Sequence, residues 1–337
     1  MNKNSILTML VFIILVNACS NLGTKQNCEK TEHKIVNNHR FQLLWSKSNV
    51  YALQSAFNPM IQGVASTFFI GVQDSSYDSS VVAFETKTGN MLWQHTINLP
   101  TSMLANGTSL YVGDYNKIEV YDLRTGYWEK EISIPNVGVV QNIYSNEQNL
   151  YIRTGNGSWV VYDMNDEAVE LSGPLLSYTP FLIENEILYL HDIEGIKALD
   201  TRTQTVIWKY KIAESINVHP TFTKDTVIVS SSSGNIYNVD KKTGNLIWRL
   251  DADTISNVAV DTSRLYFLTK DGYLRVFDVI SGQEIEKLEF SPASFQLSTS
   301  DKLVGGYNVW VDSQNEIVIL SLGDSCQLMA LKTEMPR

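Results

Sequence analysis

Asn235-Ile236-Tyr237-Asn238-Val239-Asp240-Lys241-Lys242-Thr243-Gly244-Asn245-Leu246-Ile247-Trp248 reads as a strand that ends in an acid, a turn that ends in glycine, and a second strand that carries a tryptophan. Aromatic and β-branched residues suit a pleated backbone. Thr243 can bond the local backbone, and Gly244 can take a positive φ with no Cβ clash. Variants of this unit recur along almost the whole chain.

Aligned on the strand that closes on the acid, the copies begin at Val81, Ile118, Trp159, Ile196, Ile236, Leu274 and Leu328. Their starts are separated by 37, 41, 37, 40, 38 and 54 residues. A period near 40 with several short strands in each unit is the signature of a β-propeller. The long last interval places an insertion around Phe290–Ser300. Upstream of each copy lies an apolar run, such as Thr67-Phe68-Phe69-Ile70, Leu110-Tyr111-Val112 or Val227-Ile228-Val229. These runs read as inner strands covered on both faces by neighbouring blades.

Seven such sets are present, and the last ends at Lys332 with no room for its outer strand. Phe41-Gln42-Leu43-Leu44-Trp45-Ser46-Lys47 matches that missing strand, Leu44-Trp45 corresponding to Ile247-Trp248. The expectation is an all-β, seven-bladed propeller of four-stranded blades, closed by the N-terminal strand joining the last blade and removing an exposed edge. An eighth, degenerate blade over 41–65 is the alternative. Trp45, Trp93, Trp208 and Trp248 share one slot on the outer strand, filled elsewhere by Lys130, Leu171 and Glu286. A tryptophan there covers the seam to the next blade.

The N-terminus reads as a targeting segment. Lys3 precedes the eleven-residue apolar core Ile6–Val16, too short for a bilayer span of about 20 residues but suited to a signal peptide. Val16-Asn17-Ala18-Cys19 resembles a bacterial lipobox, which implies lipidation of Cys19 and cleavage after Ala18. The predicted organisation is therefore a signal peptide over 1–18, a lipidated cysteine and polar tether over 19–40, and the propeller over 41–337. Ser20 after the cysteine favours the outer membrane over inner-membrane retention. Cys28 and Cys326 remain, and in an exported chain a disulfide between them would reinforce the ring closure.

Composition bounds the partners. With 44% hydrophobic and 18% charged residues the chain is globular, and its net charge of −10 with no basic tract argues against nucleic acid. The histidines His33, His39, His95, His191 and His219 show no metal-ligand spacing. No Gly-x-Ser-x-Gly elbow marks a nucleophile. Gly155-Asn156-Gly157 lies between strands and reads as a hairpin turn rather than a phosphate loop. The repeat-end acids Asp122, Asp163, Asp200, Asp240 and Asp278 are assigned to local turn bonding. No catalytic, cofactor or metal residue is expected.

The unit Lys241-Lys242-Thr243-Gly244-Asn245-Leu246-Ile247-Trp248, with its counterpart Thr86-Lys87-Thr88-Gly89-Asn90-Met91-Leu92-Trp93, resembles the PQQ-like, or quinoprotein-type, propeller repeat. The resemblance covers roughly residues 41–333. PQQ-dependent dehydrogenases share the blade motif, but they carry a vicinal cysteine pair that is absent here. A single-propeller lipoprotein of this repeat class is similar to the BamB family of outer-membrane assembly lipoproteins. That resemblance implies a non-enzymatic scaffold without cofactor, anchored by lipid at the periplasmic face of the outer membrane. Its partners would be envelope proteins such as the β-barrel assembly machinery. The chain departs from that family in being shorter and, by its repeat count, one blade smaller. A surface lipoprotein capturing a glycan or peptide is the alternative, and it requires Tyr127, Trp128 or Trp310 to line a funnel.

Overall fold

The computed structural model describes residues 33–334 apart from 37–39, 49, 51–60, 65, 74–78, 98–99, 135–137, 146–147, 157, 175–181, 193–194, 201, 204, 217–219, 292–306 and 324–325. All described regular structure is β. Strand β1 (Lys34–Ile35) and strand β2 (Phe41–Lys47) precede the repeats. Blade 1 holds β3 (Ile61–Val64), β4 (Thr67–Gln73), β5 (Ser79–Glu85) and β6 (Met91–Thr96). Blade 2 holds β7 (Ser102–Asn106), β8 (Ser109–Gly113), β9 (Lys117–Asp122) and β10 (Trp128–Ser133). Blade 3 holds β11 (Val140–Ser145), β12 (Asn149–Thr154), β13 (Ser158–Asp163) and β14 (Ala168–Pro174).

Blade 4 holds β15 (Leu182–Glu184), β16 (Ile187–Asp192), β17 (Gly195–Asp200) and β18 (Val206–Lys211). Blade 5 holds β19 (Thr221–Phe222), β20 (Thr226–Ser230), β21 (Asn235–Asp240) and β22 (Leu246–Asp251). Blade 6 holds β23 (Ala259–Val260), β24 (Arg264–Thr269), β25 (Tyr273–Asp278) and β26 (Glu284–Ser291). Blade 7 holds β27 (Asn308–Asp312), β28 (Ile317–Leu322) and β29 (Gln327–Thr333), and β2 completes it as the outer strand. The fold is a seven-bladed propeller closed by the N-terminal strand. Residues 41–47 pair with β29, so they do not begin an eighth blade.

The apolar runs are the second strand of each blade. Inside them lies a further set, β3, β7, β11, β15, β19, β23 and β27, of two to six residues each. Strands that short carry too little periodicity to stand out in a sequence. The long interval before the last copy falls between β26 and β27.

Seven buried clusters bridge the seven seams. Phe69 packs with Val81, Leu110 and Val112 between blades 1 and 2. Its neighbours Phe68 and Ile70 pack with Ile317 and Ile319 between blades 7 and 1. Because successive side chains in a strand leave on opposite faces, one apolar run serves two seams, which explains why these strands are continuously apolar rather than alternating. Burying each large side chain contributes about 1.5–3 kcal/mol.

Ordered structure begins before Phe41, within the segment assigned to the tether. Lys34 and Ile35 pair with Ser291 and Phe290, so β1 is a fifth strand on blade 6. The His33 backbone N–H donates to Gln327 Oε1 at 3.1 Å, and Gln327 Nε2 donates back to the His33 carbonyl at 3.1 Å. The segment thus fastens blade 6 to blade 7 before β2 completes the ring. A polar stretch without alternation carries no strand signal, and the partner supplies the register.

Candidate functional site

One irregularity shapes all seven outer strands. In each blade the register shifts one to three residues into the outer strand, skipping Leu44, Leu92, Glu129, Glu170, Ile207, Ile247 or Ile285. A β-bulge of this kind sets two residues against one and bends the strand. It leaves adjacent apolar side chains outside in blades 1, 4 and 5: Met91 and Leu92, Val206 and Ile207, Leu246 and Ile247.

Past the bulge comes the seam slot. Trp45 Nε1 donates to the Thr86 carbonyl at 2.8 Å, Trp93 Nε1 to Leu123 at 3.1 Å, Trp208 Nε1 to Lys241 at 2.7 Å and Trp248 Nε1 to Val279 at 2.9 Å. Each acceptor belongs to the turn of the following blade. The same indoles cover the turn glycines Gly89, Gly126, Gly244 and Gly282, where a Cβ would stand 2.6–2.8 Å from ring atoms. Each tryptophan therefore serves the next blade's glycine, not the one four residues before it.

Where the tryptophan is missing, the glycine is missing too. Lys130 of blade 2 forms an ion pair with Glu167, which fills the glycine position of blade 3 at a φ of 52°. Glu286 of blade 6 lies 3.2 Å from Arg40, just before β2. The remaining slot is Leu171, and the corresponding glycine position of the following blade is Gln204, which lies outside the described residues.

The repeat-end acids close their own turns. Asp240 Oδ1 accepts from the Thr243 hydroxyl and from the Lys242 and Thr243 backbone N–H groups at 2.7–3.0 Å. The Thr243 hydroxyl and backbone bonds hold the Asp240 carboxyl below its ordinary range. The Ser281 bonds do the same at Asp278.

A denser polar cluster lies on blade 2. Lys117 Nζ stands 2.6 Å from Glu119, 3.3 Å from Glu131 and 4.0 Å from Asp114, and the Tyr121 hydroxyl donates to Glu119. Burial raises the Asp114 carboxyl. At Glu119 burial acts in the same upward sense, but the Lys117 and Tyr121 bonds outweigh it and the carboxyl is lowered. Between blades 5 and 6 a groove of about 420 Å³ is lined by residues including Asp251, Lys270, Asp271 and Arg275. Its guanidinium is engaged, Arg275 lying 2.8 Å from Glu284 and 3.1 Å from Asp271. Among the described residues no group of three His, Cys, Asp or Glu side chains could hold a metal ion.

The other residues singled out from sequence are dispersed. Cys326 is buried and disulfide-bonded, whereas Cys19, Cys28, His39 and His219 lie outside the described residues. Tyr127 and Trp128 are exposed at the start of the outer strand of blade 2, away from the inner strands. Trp310 packs against Phe68, ring centroids 6.3 Å apart. These three do not line a common funnel. Sequence reading missed Lys130 with Glu167, whose only signal was the joint loss of Trp and Gly.

The family described as outer membrane protein assembly factor BamB matches residues 72–210 and 194–337. BamB of Yersinia pestis is 21% identical over 308 residues, covering 80% of this chain and 76% of that protein. BamB of Shewanella oneidensis is 24% identical over 227 residues, covering 60% and 57%. An uncharacterized protein of Rickettsia prowazekii is 17% identical over 366 residues, covering 96% and 88%. Among solved structures, BamB from Moraxella catarrhalis superposes with a TM-score of 0.56 at 14% identity, covering 87% of this chain and 99% of that one. The paired Trp and Gly of its seams, the seven four-stranded blades and the match across both halves of the ring lead to one assignment: this chain belongs to the BamB family.

Proposed function

We propose that this protein is a lipid-anchored scaffold for outer-membrane protein assembly, working at the periplasmic face of the outer membrane beside the β-barrel assembly machinery. The observation that carries the reading is the family match across residues 72–337. The ring suits the role, because seven interlocked seams hold the strands while outer-strand side chains are free to diverge. Cys19 supplies the lipid anchor, and Cys28 is the partner of Cys326. In support of that pairing, His33, five residues beyond Cys28, is bonded to Gln327, the neighbour of Cys326.

The test is deletion and complementation in the native host. Loss of the protein is expected to lower the heat-modifiable, folded fraction of outer-membrane β-barrels. The full chain restores it, and Cys19→Ala, made without an anchor, does not. An unchanged folded fraction in the deletion strain overturns the reading.

A further inference from the structure

The groove between blades 5 and 6 carries two opposite charges that are left open. Its volume of about 420 Å³ falls within the range of small-ligand sites, about 300–1,000 Å³. Leu250 and Phe277 give it an apolar wall, beside Asp251, Asp253, Lys270, Asp271 and Arg275. Three of these charges are already held. Arg275 lies 2.8 Å from Glu284 and 3.1 Å from Asp271, and Asp251 lies 2.9 Å from Arg249. Lys270 and Asp253 are exposed, and neither side chain has an ion pair or hydrogen bond among the described residues. Their backbones are joined, the Lys270 N–H donating to the Asp253 carbonyl at 3.2 Å. An ammonium and a carboxylate thus open on one groove without meeting each other.

That pattern selects the ligand by charge. A simple anion drawn to Lys270 would meet Asp251, Asp253 and Asp271, and a simple cation drawn to Asp253 would meet Lys270 and Arg275. A group that carries both signs satisfies both. The N-terminal segment enters at the same end of blade 6. Gly272, which follows Lys270 and Asp271, accepts from the Phe290 N–H at 2.9 Å, and Phe290 pairs with Ile35 of β1. Residues 20–32 separate Cys19 from His33, a span of at most about 50 Å. With Cys19 as the proposed anchor, this end of the blade stays near lipid headgroups.

We propose that this groove binds a phosphoethanolamine group, the headgroup of a bilayer lipid, with its primary ammonium on Asp253 and its phosphate on Lys270. The ammonium donates hydrogen bonds to a carboxylate, and lysine meets a phosphate as a point charge. The site goes beyond the scaffold reading, and only the lipid source of the group rests on the anchor. The probe is glycerophosphoethanolamine, titrated into the purified full-length protein in detergent. Glycerophosphocholine, whose ammonium has no N–H, and inorganic phosphate are the controls. A second arm places the protein in lipid nanodiscs of phosphatidylethanolamine or phosphatidylcholine. Backbone hydrogen exchange is followed at 250–254 and 269–275, with 118–122 of blade 2 as the reference.

The expected result is slower exchange at both segments with glycerophosphoethanolamine, about tenfold at about ten times its Kd. The reference segment is unchanged, and the effect is lost in Asp253→Asn/Lys270→Gln. Both residues are exposed, asparagine suits the φ of 49° at position 253, and circular dichroism checks that the variant folds. No slowing with the millimolar compound, equal slowing with either control, or slowing that survives in the variant each overturns the proposal. Slowing in phosphatidylethanolamine discs but not in phosphatidylcholine discs supports the lipid source, and slowing by the soluble compound alone overturns that source. Slowing in a protein whose deletion leaves barrel folding unchanged would reject the scaffold reading and keep the groove site.

Discussion

The indole of Trp208 lies against Gly244 of the following blade, where a Cβ would stand 2.6 Å from Cδ2, and its Nε1 donates to the Lys241 carbonyl at 2.7 Å. Ring and glycine are one unit split between two blades. Gly244→Ala meets both that ring and a φ of +74°, so it should cost about 2–3 kcal/mol. In a Trp208→Leu background the steric part disappears and the cost should fall toward about 1 kcal/mol, the backbone part alone. Denaturant midpoints for the four proteins of this cycle measure the coupling. Strict additivity would show that the contact carries no energy.

The ion-paired seam gives the converse exchange. Lys130→Trp alone would drive an indole toward the Cβ of Glu167 and should cost about 1–2 kcal/mol. Adding Glu167→Gly should recover that loss or exceed it, because glycine also suits the φ of 52° there. Thermal unfolding of the single and paired variants checks it. The native pair, both groups being substantially exposed, should contribute under about 1 kcal/mol and weaken with salt.

Acid sensitivity follows from the turns. Folded Asp240 and Asp278 have lowered carboxyl pKa values. Their contribution is therefore complete above the unfolded value of about 4 and is lost as pH falls through the folded value. Asp240→Asn/Asp278→Asn should be less stable than the parent at neutral pH, with the gap narrowing as pH falls from about 4 through the lowered folded values. Urea midpoints at neutral pH and across that range measure it, and a constant gap would contradict the assignment.

The repeat told more about the ring than about its use. Asp240, Gly244 and Trp248 recur at fixed offsets because each meets a steric or hydrogen-bonding demand of the blade, so fold and closure were legible. The innermost strands were not, since residues such as Thr221 and Phe222 form only a two-residue strand whose register comes from β20. Strand β1 was hidden for the same reason. The match of Lys130 to Glu167 needs knowledge of which blade faces which. A family resemblance pointed toward assembly, but no spacing of residues encodes a partner.

The clasp predicts a dependence on oxidation. On the proposed pairing of Cys28 with Cys326 the disulfide closes nearly the whole chain, so Cys326→Ser should cost about 2–4 kcal/mol. Reductant should lower the parent melting temperature toward that of the variant and leave the variant unchanged. A parent insensitive to reductant would remove the clasp.

The most direct test of the scaffold role is mild crosslinking in intact envelopes, followed by recovery of the tagged protein and mass spectrometry of what comes with it. The account predicts recovery of the β-barrel assembly machinery with the native chain and its loss with Cys19→Ala. Recovery of a different envelope complex, with that machinery absent, would contradict it.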